Sequence, residues 1–212
     1  MRMLKSDQEH QEFMPSKEVG RKLIHILSGI IIAYLILNLP YFILIFLTML
    51  GLLSTLLISY LVKKGFRIPL IDQILNSYER EHAMANMPAK GVLMFILSLL
   101  ILLILVRSPL IIASAVITLA LGDGFATITG IRWGKHRLIG KKSLEGSAAF
   151  FLTSFTGLSF LLSPLYALIA AFTGTLIEMI PQEVIDDNIT IPLGVSAVLI
   201  FLIKIWGGDT SI

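Results

Sequence analysis

The feature that most constrains this chain is the run "YFILIFLTMLGLLSTLLISYLV", residues 41–62, which carries no charged side chain. A helix needs roughly 20 apolar residues to cross a bilayer, with about 17–25 tolerated. In hydrocarbon every backbone polar group must be satisfied internally, so a run like this one spans as a helix. The same rule yields seven spans, near 20–38, 40–62, 90–106, 109–131, 147–162, 164–180 and 190–206. Three junctions, Leu39-Pro40, Ser108-Pro109 and Ser163-Pro164, carry a proline that ends one helix and opens the next. The predicted fold is therefore all-α: a polytopic membrane protein of about seven transmembrane helices, with cytoplasmic loops forming the active site. A hydrophobic share of 56% agrees, since soluble domains sit near 45–50%.

Basic residues set the orientation. Of the 17 Lys and Arg, all but Arg107 and Lys204 fall in the N-terminal segment, the 63–90 loop and the 132–146 loop. These three regions are expected on the cytoplasmic side, leaving little but turns opposite. Residues 1–16 read as a short polar cytosolic tail without a signal-peptide cleavage site, 17–206 as one integral-membrane catalytic domain, and 207–212 as a short tail. Within the second loop Ile68, Ile71, Ile74, Leu75 and Tyr78 recur at helical spacing, which predicts an interfacial helix over 68–82.

The polar residues inside this apolar frame mark the candidate site. In the first span Ser16 can cap the helix, and Glu18, Lys22, His25 and Gly29 share one face. In the fourth, Asp123 stands between Gly122 and Gly124, about 12 Å from the cytoplasmic end by helical rise. An ionisable residue there marks a functional site or a partner for a basic residue on another helix. Gly122, Ala126 and Gly130 form a small-residue strip that admits a close neighbour. The next loop, "RWGKHRLIGKKSLEGS", brings Arg132, Lys135, Arg137, Lys141 and Lys142, with Ser143 opening the following helix. Cations beside a helix N-terminus suit phosphate groups, although positive-inside bias alone also places cations there. On the sixth span Ala167, Ala171, Gly174 and Glu178 share a face, and Asp186, Asp187 and Asn188 follow. These acidic residues read either as a turn and cap for the seventh helix or as oxygen ligands for Mg²⁺, which takes one or two carboxylates plus substrate phosphates.

The segments "EVGRKLIHILSG", "GDGFATITGIRWGKHR", "KKSLEGS" and "DDNITIPL", in this order over residues 17–204, resemble the CTP-dependent lipid kinases, a family that includes dolichol kinase, phytol kinase and a CTP-using diacylglycerol kinase. The resemblance implies transfer of the γ-phosphate of CTP to the hydroxyl of an isoprenoid alcohol or diacylglycerol, with Mg²⁺ as cofactor. It implies catalytic roles for Asp123, Lys142 and Asp187. Nucleotide and phosphate binding would fall to Lys22, His25, Arg132, Lys135, Lys141, Lys142, Ser143, Glu145, Gly146 and Asn188, and metal binding to Asp123, Glu178, Asp186 and Asp187. The partners expected are CTP, a lipid alcohol and the bilayer, with no nucleic acid.

Other chemistries fit less well. The chain has no cysteine, which removes disulfides, thiol nucleophiles and thiolate metal sites. It lacks a Walker GxxxxGK[ST] loop and the protein-kinase motif set. A CTP:phosphatidate or archaeal-lipid cytidylyltransferase shares the glycine-aspartate and K-[ST]-x-E-G elements. Its closing histidine-bearing signature has no counterpart here, because no His follows His136. A transporter would carry a recognisable repeat and polar groups near the midplane; here the polar groups gather toward one face.

Overall fold

The computed structural model describes residues 2–66, 88–140, 142–180 and 186–206, with side chains from Lys17 to Ile205. The interfacial helix expected over 68–82 lies outside the described residues. Helices α1 (Arg2–Asn38), α2 (Tyr41–Lys63) and α3 (Lys90–Leu105) are followed by a rod in three pieces. That rod comprises α4 (Pro109–Ile117), a π-helical turn (Thr118–Asp123) and α5 (Gly124–Trp133). Helices α6 (Leu144–Leu158), α7 (Pro164–Glu178) and α8 (Asp187–Trp206) complete the bundle. No strand occurs among the described residues.

The seven expected spans thus correspond to seven helical rods. Four are long and apolar enough to cross a membrane: Lys17–Asn38, Tyr41–Lys63, Pro109–Trp133 and Asp187–Ile205. The other three, α3, α6 and α7, have 16, 15 and 15 residues. At 1.5 Å per residue these reach about 22–24 Å, short of a hydrocarbon core of about 30 Å. Two boundaries moved upstream because caps fix them: Ser143 starts α6, and the Asp186 side chain accepts from the Asn188 backbone N–H at the start of α8. Ser16, expected as a cap, lies inside α1, which begins well before it.

The Pro109–Trp133 rod is the centre of the bundle. In its most apolar window 78% of residues are buried, against 6% in Tyr41–Lys63, which lies at the periphery. Small residues let neighbours approach it. Gly29 of α1 faces Ala120, and a Cβ on Gly122 would come 2.5 Å from Ser154 Oγ and 2.6 Å from Phe150 Cζ of α6. A Cβ on Gly174 of α7 would lie 2.8 Å from Thr118 Cγ2. Ala167 and Ala171 are fully buried on the same face of α7, as their spacing predicted. Alternating helix directions put the 38–41, 105–109 and 158–164 turns at one end. The other end holds the start of the Lys17–Asn38 span, the α5–α6 hairpin and the α7–α8 junction.

Candidate active site

The π turn was not foreseen in the expected continuous helix. A π turn inserts an extra residue, and such turns are frequent at functional sites. Here it ends on Asp123. With the wider turn, Ala120, Asp123 and Gly124 all face α1, while Gly122 faces α6. Gly124 packs directly against Ile26, so α1 crosses the rod at the level of the carboxylate.

There Asp123 is 5% exposed and forms a buried ion pair with Lys22, itself 7% exposed. His25 Nε2 stands 3.8 Å from the same carboxylate oxygen and has no hydrogen-bond partner, although the atom is buried. Lys22, His25 and Gly29 therefore do share the face read from their spacing, while Glu18 pairs with Arg21 on the same helix. The basic partner that Asp123 required on another helix is Lys22. A charge pair this deep ties catalytic candidates to stability, because removing either partner strands the other charge.

A second cluster lies at the same end. Residues 136–144 form a tight hairpin: the Leu138 N–H donates to Lys142 O (3.0 Å), the Leu144 N–H donates to His136 O (2.9 Å), and Gly140 turns the chain at φ 58°. The positive φ favours glycine at that turn. The hairpin delivers the Lys142 ammonium 2.8 Å from Glu178 Oε1 of α7 and 3.1 Å from Asp187 Oδ2 of α8. Both carboxylates are 4% exposed. Burial alone would lower the Lys142 pKa, but the Asp187 and Glu178 carboxylates outweigh it and hold the ammonium above its ordinary range. Ser147 Oγ donates to the other Glu178 oxygen at 3.0 Å.

The remaining predicted residues take varied positions. Ser143 is buried and its Oγ accepts from the Gly146 N–H at 3.2 Å; a Cβ on Gly146 would come 3.0 Å from Ala126 O. Glu145, in the first turn of α6, accepts from the His136 backbone N–H (3.2 Å) and contacts His136 Nδ1 at 2.7 Å. Backbone N–H groups and His136 lower the Glu145 pKa to about 2. It anchors the hairpin to the helix. Asp186 Oδ1 accepts from both the backbone N–H and Nδ2 of Asn188, at 3.0 and 2.9 Å. Arg132 is exposed beside the Trp133 ring, 5.4 Å from its centroid, and Lys135 is exposed. Lys141 lies outside the described residues. Ser147 was missed, although it follows Ser143 by four and so shares its helix face.

Glu178 and Asp187 present carboxylate oxygens converging on one cation, the donor type that Mg²⁺ takes. No group of three or more His, Cys, Asp or Glu arranged as a metal site occurs among the described residues. An ion held here would need further oxygens from substrate.

Comparison with known proteins finds relatives along most of the chain. The chain is 32% identical over 192 residues to an uncharacterised protein of Methanocaldococcus jannaschii, covering 86% of this chain and 93% of that one. It is 28% identical over 194 residues to a phytol kinase of Synechocystis, covering 84% of this chain and 76% of the relative. A probable chloroplastic phytol kinase of Zea mays is 27% identical over 222 residues, covering 88% of this chain and 67% of the relative. No family model matches the chain, and no solved structure matches it. The chain therefore shares a family with the uncharacterised Methanocaldococcus jannaschii protein, and its similarity to phytol kinases over most of its length supports a lipid-kinase-like family.

Proposed function

We propose that this protein transfers the γ-phosphate of CTP to the hydroxyl of a membrane isoprenoid alcohol, giving a lipid phosphate and CDP. The observation that carries the reading is the pair of buried acid–base clusters at one end of an apolar bundle, Lys22–Asp123–His25 and Lys142–Glu178–Asp187. Phosphoryl transfer calls mainly for positioning and charge neutralisation, and these groups supply both. Asp123 accepts a hydrogen bond from the substrate hydroxyl and takes its proton as the new oxygen–phosphorus bond forms. The bond from the γ-phosphorus to the bridging oxygen breaks, and CDP leaves with the electron pair. Lys142 and Lys22 turn toward phosphate oxygens when nucleotide enters. Glu178 and Asp187 are the residues that would hold Mg²⁺, which supplies additional neutralisation of phosphate charge. The weight of basic residues at this end supports a cytosolic orientation for it, where nucleotide is available.

The purified protein in lipid nanodiscs, given γ-labelled CTP or ATP and a panel of phytol, geranylgeraniol, a polyprenol and diacylglycerol, tests the reading. Label on an isoprenoid alcohol from CTP, abolished by chelation of Mg²⁺, is the expected result. Label on none of the four alcohols from either nucleotide overturns it.

A further inference from the structure

An apolar groove of about 510 Å³ opens on the flank of the bundle, between α1 and α6 and over the central rod. Its walls include Ile30, Tyr34, Leu121, Phe125, Thr156 and Phe160. Gly157 makes the floor possible: α6 lies so close to the rod there that a Cβ would strike Leu121. The groove has little use for a polar ligand. Thr153 Oγ1 donates to Ala149 O at 2.8 Å and Thr156 Oγ1 to Leu152 O at 2.8 Å, so both hydroxyls are engaged by the helix's own backbone.

Two features say what fills it. First, its rim is continuous with the membrane-facing surface, since Ile30, Tyr34 and Phe125 are exposed on two of the four membrane-spanning rods. Its occupant is therefore a hydrocarbon chain from the surrounding leaflet. Second, Leu121 and Phe125 stand two residues either side of Asp123, and Ile30 follows His25 by five residues, about 7.5 Å of helix. One end of the groove therefore lies at the level of Asp123 along the central rod.

We propose that this groove seats the hydrocarbon chain of the acceptor alcohol and so presents its hydroxyl to Asp123; the assignment rests on the lipid-kinase reading above. Lipid tails are as apolar as the groove, so transfer from the bilayer gains nothing from hydrophobic burial. Selectivity comes instead from shape and from holding the head in place. Chain length matters accordingly: geranylgeraniol uses the groove, whereas prenol, one isoprene unit long, uses only the acidic site.

The test combines kinetics with photolabelling. Thr156→Trp fills the groove, and Leu53→Trp on the exposed face of α2, away from the groove, is the control. In Thr156→Trp the KM for geranylgeraniol should rise about tenfold while the prenol KM stays within about twofold, and Leu53→Trp should change neither. A geranylgeraniol analogue carrying a diazirine on its chain should label the 117–125 and 153–161 segments, and Thr156→Trp should reduce that label. Equal effects on both alcohols, or label spread over the outward face of α2, overturn the groove. If neither alcohol is phosphorylated while the label still maps to the groove, the phosphotransfer reading fails and the binding site stands.

Discussion

Replacing Lys142 by Met keeps the stem and removes the charge that bridges Glu178 and Asp187. Two carboxylates, each 4% exposed, are then left facing one another without their shared ammonium. Breaking a buried pair by removing one partner costs about 3–5 kcal/mol. At about 2–4 °C per kcal/mol for a protein of this size, the apparent melting temperature should fall by roughly 6–20 °C. Adding Glu178→Gln to the Met variant removes one of the stranded charges and should recover at least about 1 kcal/mol, a coupling within the usual range for residues in contact. The wild-type pair has its own pH signature. The folded Lys142 pKa is raised above 10.5, so its contribution is fully present below 10.5 and is lost as pH rises through the folded value. The assay is thermal unfolding in nanodiscs near neutral pH and again above pH 10.5. A shift below about 2 °C for Lys142→Met, or strict additivity in the double variant, would refute the claim that this ammonium holds α6, α7 and α8 together at the site.

Glu145→Gln should free the 136–144 hairpin from α6, seen as several-fold faster trypsin cleavage after Arg137 with little change in melting temperature. In the wild type, Glu145 has its pKa lowered from 4.5 to about 2, so its hold on the hairpin is complete above 4.5 and fades as pH falls through about 2. Hydrogen exchange of the His136 amide follows that window. Ser147→Ala leaves one buried Glu178 oxygen without its donor, at a cost of about 1–3 kcal/mol, measurable by the same melting assay.

Sequence periodicity and punctuation carried most of the fold. The uncharged runs and the three proline junctions place all seven rods, because both signals are local. The small-residue strips on the fourth and sixth spans also read correctly, since close packing needs a missing side chain wherever the partner comes from. The π turn was not legible: a wide turn depends on which neighbours press on it, and nothing in "TLALGD" declares that. The same limit applies to charge pairing. Lys22 and Asp123 are 101 residues apart, and only the crossing of α1 over the central rod joins them. Spacing gave the polar face of α1 but not the residue it would meet. Lys142 resembles its basic neighbours in sequence, yet the hairpin buries it on two carboxylates while leaving Arg132 and Lys135 exposed.

Phosphoryl transfer to a membrane alcohol at the proposed Asp123 site can be tested directly. The most direct measurement incubates the purified protein with geranylgeraniol and CTP labelled at either the α or the γ phosphate. It is run for the wild type and for the Lys22→Met/Asp123→Asn double variant, which removes both charges of the buried pair so that neither is stranded. Label should reach the lipid from the γ position only. In the double variant that label should be lost by at least about a hundredfold while the melting temperature stays near that of the wild type. Label from the α position, or undiminished γ transfer by a folded double variant, would contradict it.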